Sequence, residues 1–132
     1  MKRVILSVIE LMLVLFSYGV NAERHEQCYD YITELVRNSS FDLSQWKIKP
    51  EDINLIIDED NDDFIRAKIF IETSGTGTIG WVYFNKMNNT LHDITFDPDN
   101  TVNLNFNHHY LKAYKKCLNG NEAYKATNSV NN

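Results

Sequence analysis

The chain has 132 residues, enough for one domain. Its 18 acidic residues outnumber 13 basic ones, for a net charge of −5 at pH 7. An acidic surface repels nucleic acid and anionic membranes and attracts basic partners, so a nucleic-acid role is set aside.

The first residues read as a leader. Lys2 and Arg3 precede a mostly apolar run from Val4 to Val20, interrupted by Glu10. Val20-Asn21-Ala22 then supplies a cleavage pattern, with the cut expected between Ala22 and Glu23. A membrane anchor is the weaker reading, because the apolar run falls short of about 20 residues and holds a charge. Residues 1–22 are therefore expected to be a signal peptide, 23–120 a single α+β domain, and 121–132 a polar, flexible tail. The protein is expected in the periplasm or outside the cell, with no membrane insertion after cleavage. Removing 22 of 132 residues takes Lys2, Arg3 and Glu10 with them. That leaves 11 basic and 17 acidic residues, a net of −6 over 110.

Two cysteines remain, Cys28 and Cys117, near the two ends. An even count in an exported chain predicts a disulfide. Closing so long a loop would stabilise the fold by about 4–5 kcal/mol through denatured-state entropy. Two sulfurs this far apart, without CxxC or HxxxH spacing, do not suggest a metal site, and no cofactor is expected.

In chain order, Glu26 to Arg37 reads as a helix, with Cys28, Tyr31, Ile32, Leu35 and Val36 on one face. Asn38-Ser39-Ser40 stops it. Trp46 and Ile48 are compatible with a short strand before Pro50. The period then changes to two. Ile53, Leu55 and Ile57 define a first strand, and the acidic run 59–63 a turn. Phe64 to Glu72 forms a second strand, with Ile65, Ala67, Ile69 and Ile71 on one face. Ser74 to Gly77 turns the chain, glycine tolerating positive φ. Thr78 to Phe84 is a third strand. Its alternation is read as Ile79, Trp81 and Tyr83 toward the helices, with Val82 and Phe84 on the other face. Asn88-Asn89 is a hairpin turn, and Leu91 to Phe96 a fourth strand. Asp97-Pro98-Asp99-Asn100 breaks it, and Val102 to Phe106 is a short edge strand or an extended run. A helix follows over His109 to Leu118, with Asn107 as its N-cap and Gly120 just past its end. The fold expected is α+β: an antiparallel four- to five-stranded meander with an N-terminal and a C-terminal helix packed on one face, joined by one disulfide.

Chemistry is sparse. Gly75-x-Gly77-x-x-Gly80 matches a phosphate-binding string, but strands flank it and no helix starts at its last glycine, so it reads as a hairpin. Gly80 inside a strand marks a bulge or a close approach by Trp46 or a helix. Asp58, Asp60 and Asp62 have the alternation of a calcium loop. However, Asp63 replaces its glycine and Ile69 its final glutamate. The run is then a solvated tip, a partner-binding tip or a weak calcium site. His92 with Asp93 or Asp97 is conceivable as an acid–base pair, though no nucleophile motif accompanies it. Asn38-Ser39-Ser40 and Asn88-Asn89-Thr90 are glycosylation sequons, relevant only in a eukaryotic secretory pathway. Aromatic side chains left outside a small core would mark a partner site.

The stretch from Gly75 to Phe106 reads Gly-Thr-Gly-Thr-Ile-Gly-Trp, an Asn-Asn turn, Leu-His-Asp-Ile-Thr, Asp-Pro-Asp-Asn and a Val-x-Leu-x-Phe run. With the leader and the terminal cysteine pair, it resembles small exported bacterial proteins that look like periplasmic immunity proteins against secreted antibacterial effectors. The resemblance implies a non-enzymatic binder that occludes a toxin or hydrolase with an acidic or aromatic protrusion. The candidate contact residues are Glu59, Asp60, Asp62 and Asp63, Ser74 and Thr76, and Asp97 and Asp99. An envelope assembly or adhesion component, pairing through an edge strand, is the first alternative, and a small secreted enzyme the second.

Overall fold

The computed structural model describes residues 27–73 and 77–130, with side chains described as far as Gly120. The expected leader, its cleavage point, and the contact candidates Ser74 and Thr76 lie outside the described residues. The fold is α+β. A helix over residues 27–37 (α1) is followed by a short 3₁₀ turn, Pro50–Asp52. Five strands come next: β1 (Asn54–Asp60), β2 (Phe64–Phe70), β3 (Thr78–Asn85), β4 (Thr90–Asp93) and β5 (Val102–Leu104). A long helix, α2 (His108–Val130), ends the described chain. Every strand pairs antiparallel with its neighbour in sequence, in the order β1-β2-β3-β4-β5.

The chain divides into two compact units, one spanning Thr33–Tyr110 and the other holding the described residues up to Ile32 together with those from Leu111. In the second of these, Cys28, Ile32, Leu111 and Tyr114 are buried, on the spacing that the helical period predicts. Cys28 and Cys117 form the expected disulfide, across a separation of 89 residues. Tyr31 departs from the pattern and is exposed. Gly120 does not end α2, which runs on to Val130 instead of stopping near Leu118. Glycine weakens a helix interior by only about 1 kcal/mol, so its presence alone does not break one.

The unit Thr33–Tyr110 carries the sheet. Its buried side chains are Leu35, Val36, Ile53, Ile65, Ala67, Ile69, Ile79, Val82, Phe84, Leu91 and Leu104. Each large one contributes about 1.5–3 kcal/mol by leaving water. In β2 the alternation is as expected, with Ile65, Ala67 and Ile69 inside. In β3 Ile79 is buried as expected, but from Trp81 onward the expected face is reversed. Ile69 pairs with Gly80 but Phe70 pairs with Thr78, so Ile79 is an extra, bulged residue. A bulge shifts the side-chain parity by one position. Ile79 and Gly80 are both buried, and Val82 and Phe84 join Ala67 and Ile65 on the inner face. Trp81 and Tyr83 instead stand on the outer face, opposite Lys68 and Arg66.

Other boundaries also moved. β1 continues through Glu59 and Asp60, with a second bulge between Ile57 and Glu59. The residues around Trp46 form a turn rather than a strand. β4 stops at Asp93, well short of Phe96. Two expected turn devices are present. Asn89 adopts φ 56°, a left-handed value that asparagine tolerates, in the β3–β4 turn. Asn107 caps α2, its Oδ1 accepting from the His109 N–H at 2.9 Å.

Candidate protein-contact surface

The segment 94–101, between β4 and β5, is irregular but braced throughout. At its start, Asp93 Oδ1 accepts from the backbone N–H of Thr95 at 2.9 Å and also from the Thr95 hydroxyl. Thr95 Oγ1 in turn accepts from the Trp81 N–H at 3.0 Å, and the Ile94 N–H donates to the Trp81 carbonyl at 3.0 Å. This ends β4: the aspartate and threonine side chains offer the backbone local partners in place of a strand ladder. At the apex, Asp97 Oδ1 accepts from the Asp99 N–H at 2.9 Å. At the exit, Thr101 Oγ1 is bonded to His92 Nδ1 at 3.2 Å, and His92 Nε2 to Thr90 Oγ1 at 2.8 Å.

Gly80 makes the brace possible. A Cβ there would lie 2.4 Å from Thr95 Oγ1 and 2.9 Å from Phe41 Cζ. The close approach anticipated at Gly80 therefore comes from Thr95 and Phe41, not from Trp46. On the braced loop, Phe96 is 84% exposed, the most exposed of the large apolar side chains described. Asp97 and Asp99 follow it, both exposed.

Beside the loop, the outer face of the sheet forms a groove of about 380 Å³, lined by Asp58, Arg66, Trp81, Ile94, Thr95 and Pro98. Arg66 lies between two carboxylates, with Nη2 at 2.6 Å from Asp58 and 3.2 Å from Glu59. Its hydrogen bond to Asp58 raises the affinity of the guanidinium for its proton above the ordinary value. Phe64 stacks on Tyr83 with ring centroids 4.7 Å apart, and Tyr83 meets His92 edge-on at 6.2 Å.

The acidic run is less free than its composition implies. Glu59 pairs with Arg66, and Asp60 with Lys86. Asn61 closes the turn, its Oδ1 accepting from the N–H groups of Asp63 at 2.9 Å and Phe64 at 3.0 Å. Asp58, Glu59, Asp62 and Asp63 are all exposed, and only Asp60 of the acids in this run is partly covered. The structure thus separates the contact candidates into a β1–β2 group and the Asp97–Asp99 group, with Asp58 and Pro98 lining one groove. Sequence reasoning missed Phe96, which it placed inside a strand, as well as Arg66 and the groove. The Asp93–Thr95 pair was the local signal that could have ended the strand earlier.

Both ring nitrogens of His92 are engaged by threonine hydroxyls, rather than by Asp93 or Asp97. Among the described residues, no three His, Cys, Asp or Glu side chains are grouped to hold a metal. Nor is any described helix long and apolar enough to cross a membrane. No protein-family model, curated protein or solved structure matches the chain.

Proposed function

We propose that this is an exported, non-enzymatic binding protein of the immunity or inhibitor kind, which occludes a secreted toxin or hydrolase through the 94–101 loop. The observation that carries this reading is Phe96, 84% exposed on a loop hydrogen bonded at its start, apex and exit. A large aromatic held out by a rigid loop loses little entropy on docking and is the kind of residue that dominates interface energetics. Asp97 and Asp99 beside it favour a basic surface and fast association. The Cys28–Cys117 disulfide is compatible with an oxidising compartment.

The test uses the mature protein as immobilised bait for exported proteins, followed by reconstitution with the purified partner. The expected result is a toxin or hydrolase whose activity disappears at stoichiometric ratio, with affinity falling at least about tenfold for Phe96→Ala. Asp97→Lys with Asp99→Lys should slow association and reduce its dependence on salt. A partner that binds both variants as tightly as wild type would remove the loop from the interface. A bound partner that keeps full activity would end the inhibitor reading.

A further inference from the structure

A second groove opens at the far end of β4 from the 94–101 loop. The β4–β5 ladder runs from the Asp93–Val102 pair to the Leu91–Leu104 pair and stops there. Thr90 stays with β3, paired to Asn85. Asn105 turns to Ser40 instead. The Ser40 N–H donates to the Asn105 carbonyl and the Ser40 hydroxyl accepts from the Asn105 N–H, both at 2.8 Å. The fork so opened is a groove of about 430 Å³, an ordinary size for a small-molecule site.

Its lining is uncharged. The chain carries 13 basic and 18 acidic residues, yet no Asp, Glu, Lys or Arg lines this groove. Four asparagines do: Asn88, Asn89, Asn103 and Asn105. Asn88 Oδ1 accepts from the Thr90 hydroxyl at 2.6 Å, leaving the NH2 of the same side chain to donate. Among the described residues, the side-chain amides of Asn103 and Asn105 have no hydrogen-bond partner. Each amide presents a donor and an acceptor side by side. One rim is aromatic. The exposed His108 ring lies on Phe106 with centroids 4.7 Å apart, and Phe106 meets the buried Phe84 edge-on at 6.3 Å.

Free amides select an uncharged ligand with neighbouring donors and acceptors, and an aromatic rim selects a ring with an apolar face. A saccharide has both, in its adjacent hydroxyls and its C–H face. A peptide strand has only the first and would dock through a backbone ladder. β5 offers little of one: it is three residues long, and Ser40 occupies the backbone groups of Asn105. We infer that this groove binds an uncharged saccharide, with Asn103 and Asn105 bonding its hydroxyls and His108 lying against its ring. The site goes beyond the protein-contact reading and does not depend on it.

The probes are cellobiose and N,N′-diacetylchitobiose, titrated into the full mature protein and followed by backbone and side-chain amide NMR. The blocked peptide acetyl-glycine methylamide is the control, since it carries amides without a sugar ring. Saturable shifts at Asn103, Asn105 and His108 are expected with at least one disaccharide, and none with the peptide. Asn103→Ala with Asn105→Ala should weaken binding roughly tenfold or more, for two lost hydrogen bonds. Both asparagines are exposed, so the fold does not depend on their side chains. His108→Ala should weaken binding roughly three- to tenfold. Phe96→Ala, at the other end of β4, should bind sugar as wild type does. Shifts with neither disaccharide, equal shifts with the peptide, or binding that survives the double asparagine variant would overturn the inference.

Discussion

Gly80 and Thr95 occupy one space: the side chain that the strand residue lacks is where the threonine hydroxyl sits, 2.4 Å from an ideal Cβ. The same hydroxyl accepts from the Trp81 N–H, so the vacancy at Gly80 and the loop's shape are one feature. Gly80→Ala is expected to destabilise by about 1–3 kcal/mol, the usual range for overpacking. Thr95→Ala should cost about 1 kcal/mol for its lost hydrogen bonds. If the two share the space, the double variant will be more stable than the sum of the singles predicts, and a thermodynamic cycle from denaturant melts reads that directly.

Arg37 ties the end of α1 to the start of β1. Its Nε donates to the Ile53 carbonyl at 2.9 Å, Nη2 to Asn54 Oδ1 at 3.2 Å, and Nη1 to Glu34 Oε1 at 2.6 Å. Arg37→Met keeps the apolar stem and removes all three bonds. A loss of about 1–3 kcal/mol is expected, larger than for Arg37→Lys, and urea midpoints at equal slope would measure it.

The disulfide should be worth about 4–5 kcal/mol, given the 89-residue separation. Cys28→Ala with Cys117→Ala tests this by chemical denaturation. A steeper denaturant slope should accompany the loss, because the unbridged denatured chain exposes more surface. An unchanged unfolding free energy, the product of slope and midpoint, would mean that the bridge adds no net stability.

Asp42 accepts hydrogen bonds from Ser44, first from its side chain and then from its backbone, and these hold the carboxyl below its ordinary value of 3.8. The folded value is thus lower than the unfolded one. The added stability is complete above the unfolded value and is lost as pH falls through the folded one. A carbon-detected NMR titration should place the Asp42 midpoint below 3.8, and Ser44→Ala should move it part of the way back.

Much of the architecture was legible because it follows from periodicity. The spacing of Cys28, Ile32, Leu35 and Val36 defines a helix face, and Ile65, Ala67 and Ile69 a strand face. The two terminal cysteines fixed the bridge because no other pairing existed. The outer face was misread for a physical reason. Ile79 and Gly80 are both buried at a bulge, and no alternation rule reports an inserted residue. Reading Phe96 as the end of a strand hid the most exposed aromatic among the described residues. Its loop exists through the side-chain bonds of Asp93, Thr95 and His92, which hydropathy does not see. Arg66 alternates with Ile65 and Ala67, so the strand period puts it on the outer face, but its carboxylate neighbours follow from the bulge in β1.

The long reach of the Cys28–Cys117 bridge also has a consequence for biogenesis. All five strands join sequence neighbours, so the sheet can assemble in order as the chain emerges. Cys28 emerges before the whole sheet and Cys117 after it. For that interval the first thiol has no correct partner on its own chain. With two cysteines in the sequence, the one wrong disulfide available is between two chains. Yield should therefore depend on the timing of oxidation more than on any isomerase: an early oxidant gives covalent dimers, and a late one gives monomer.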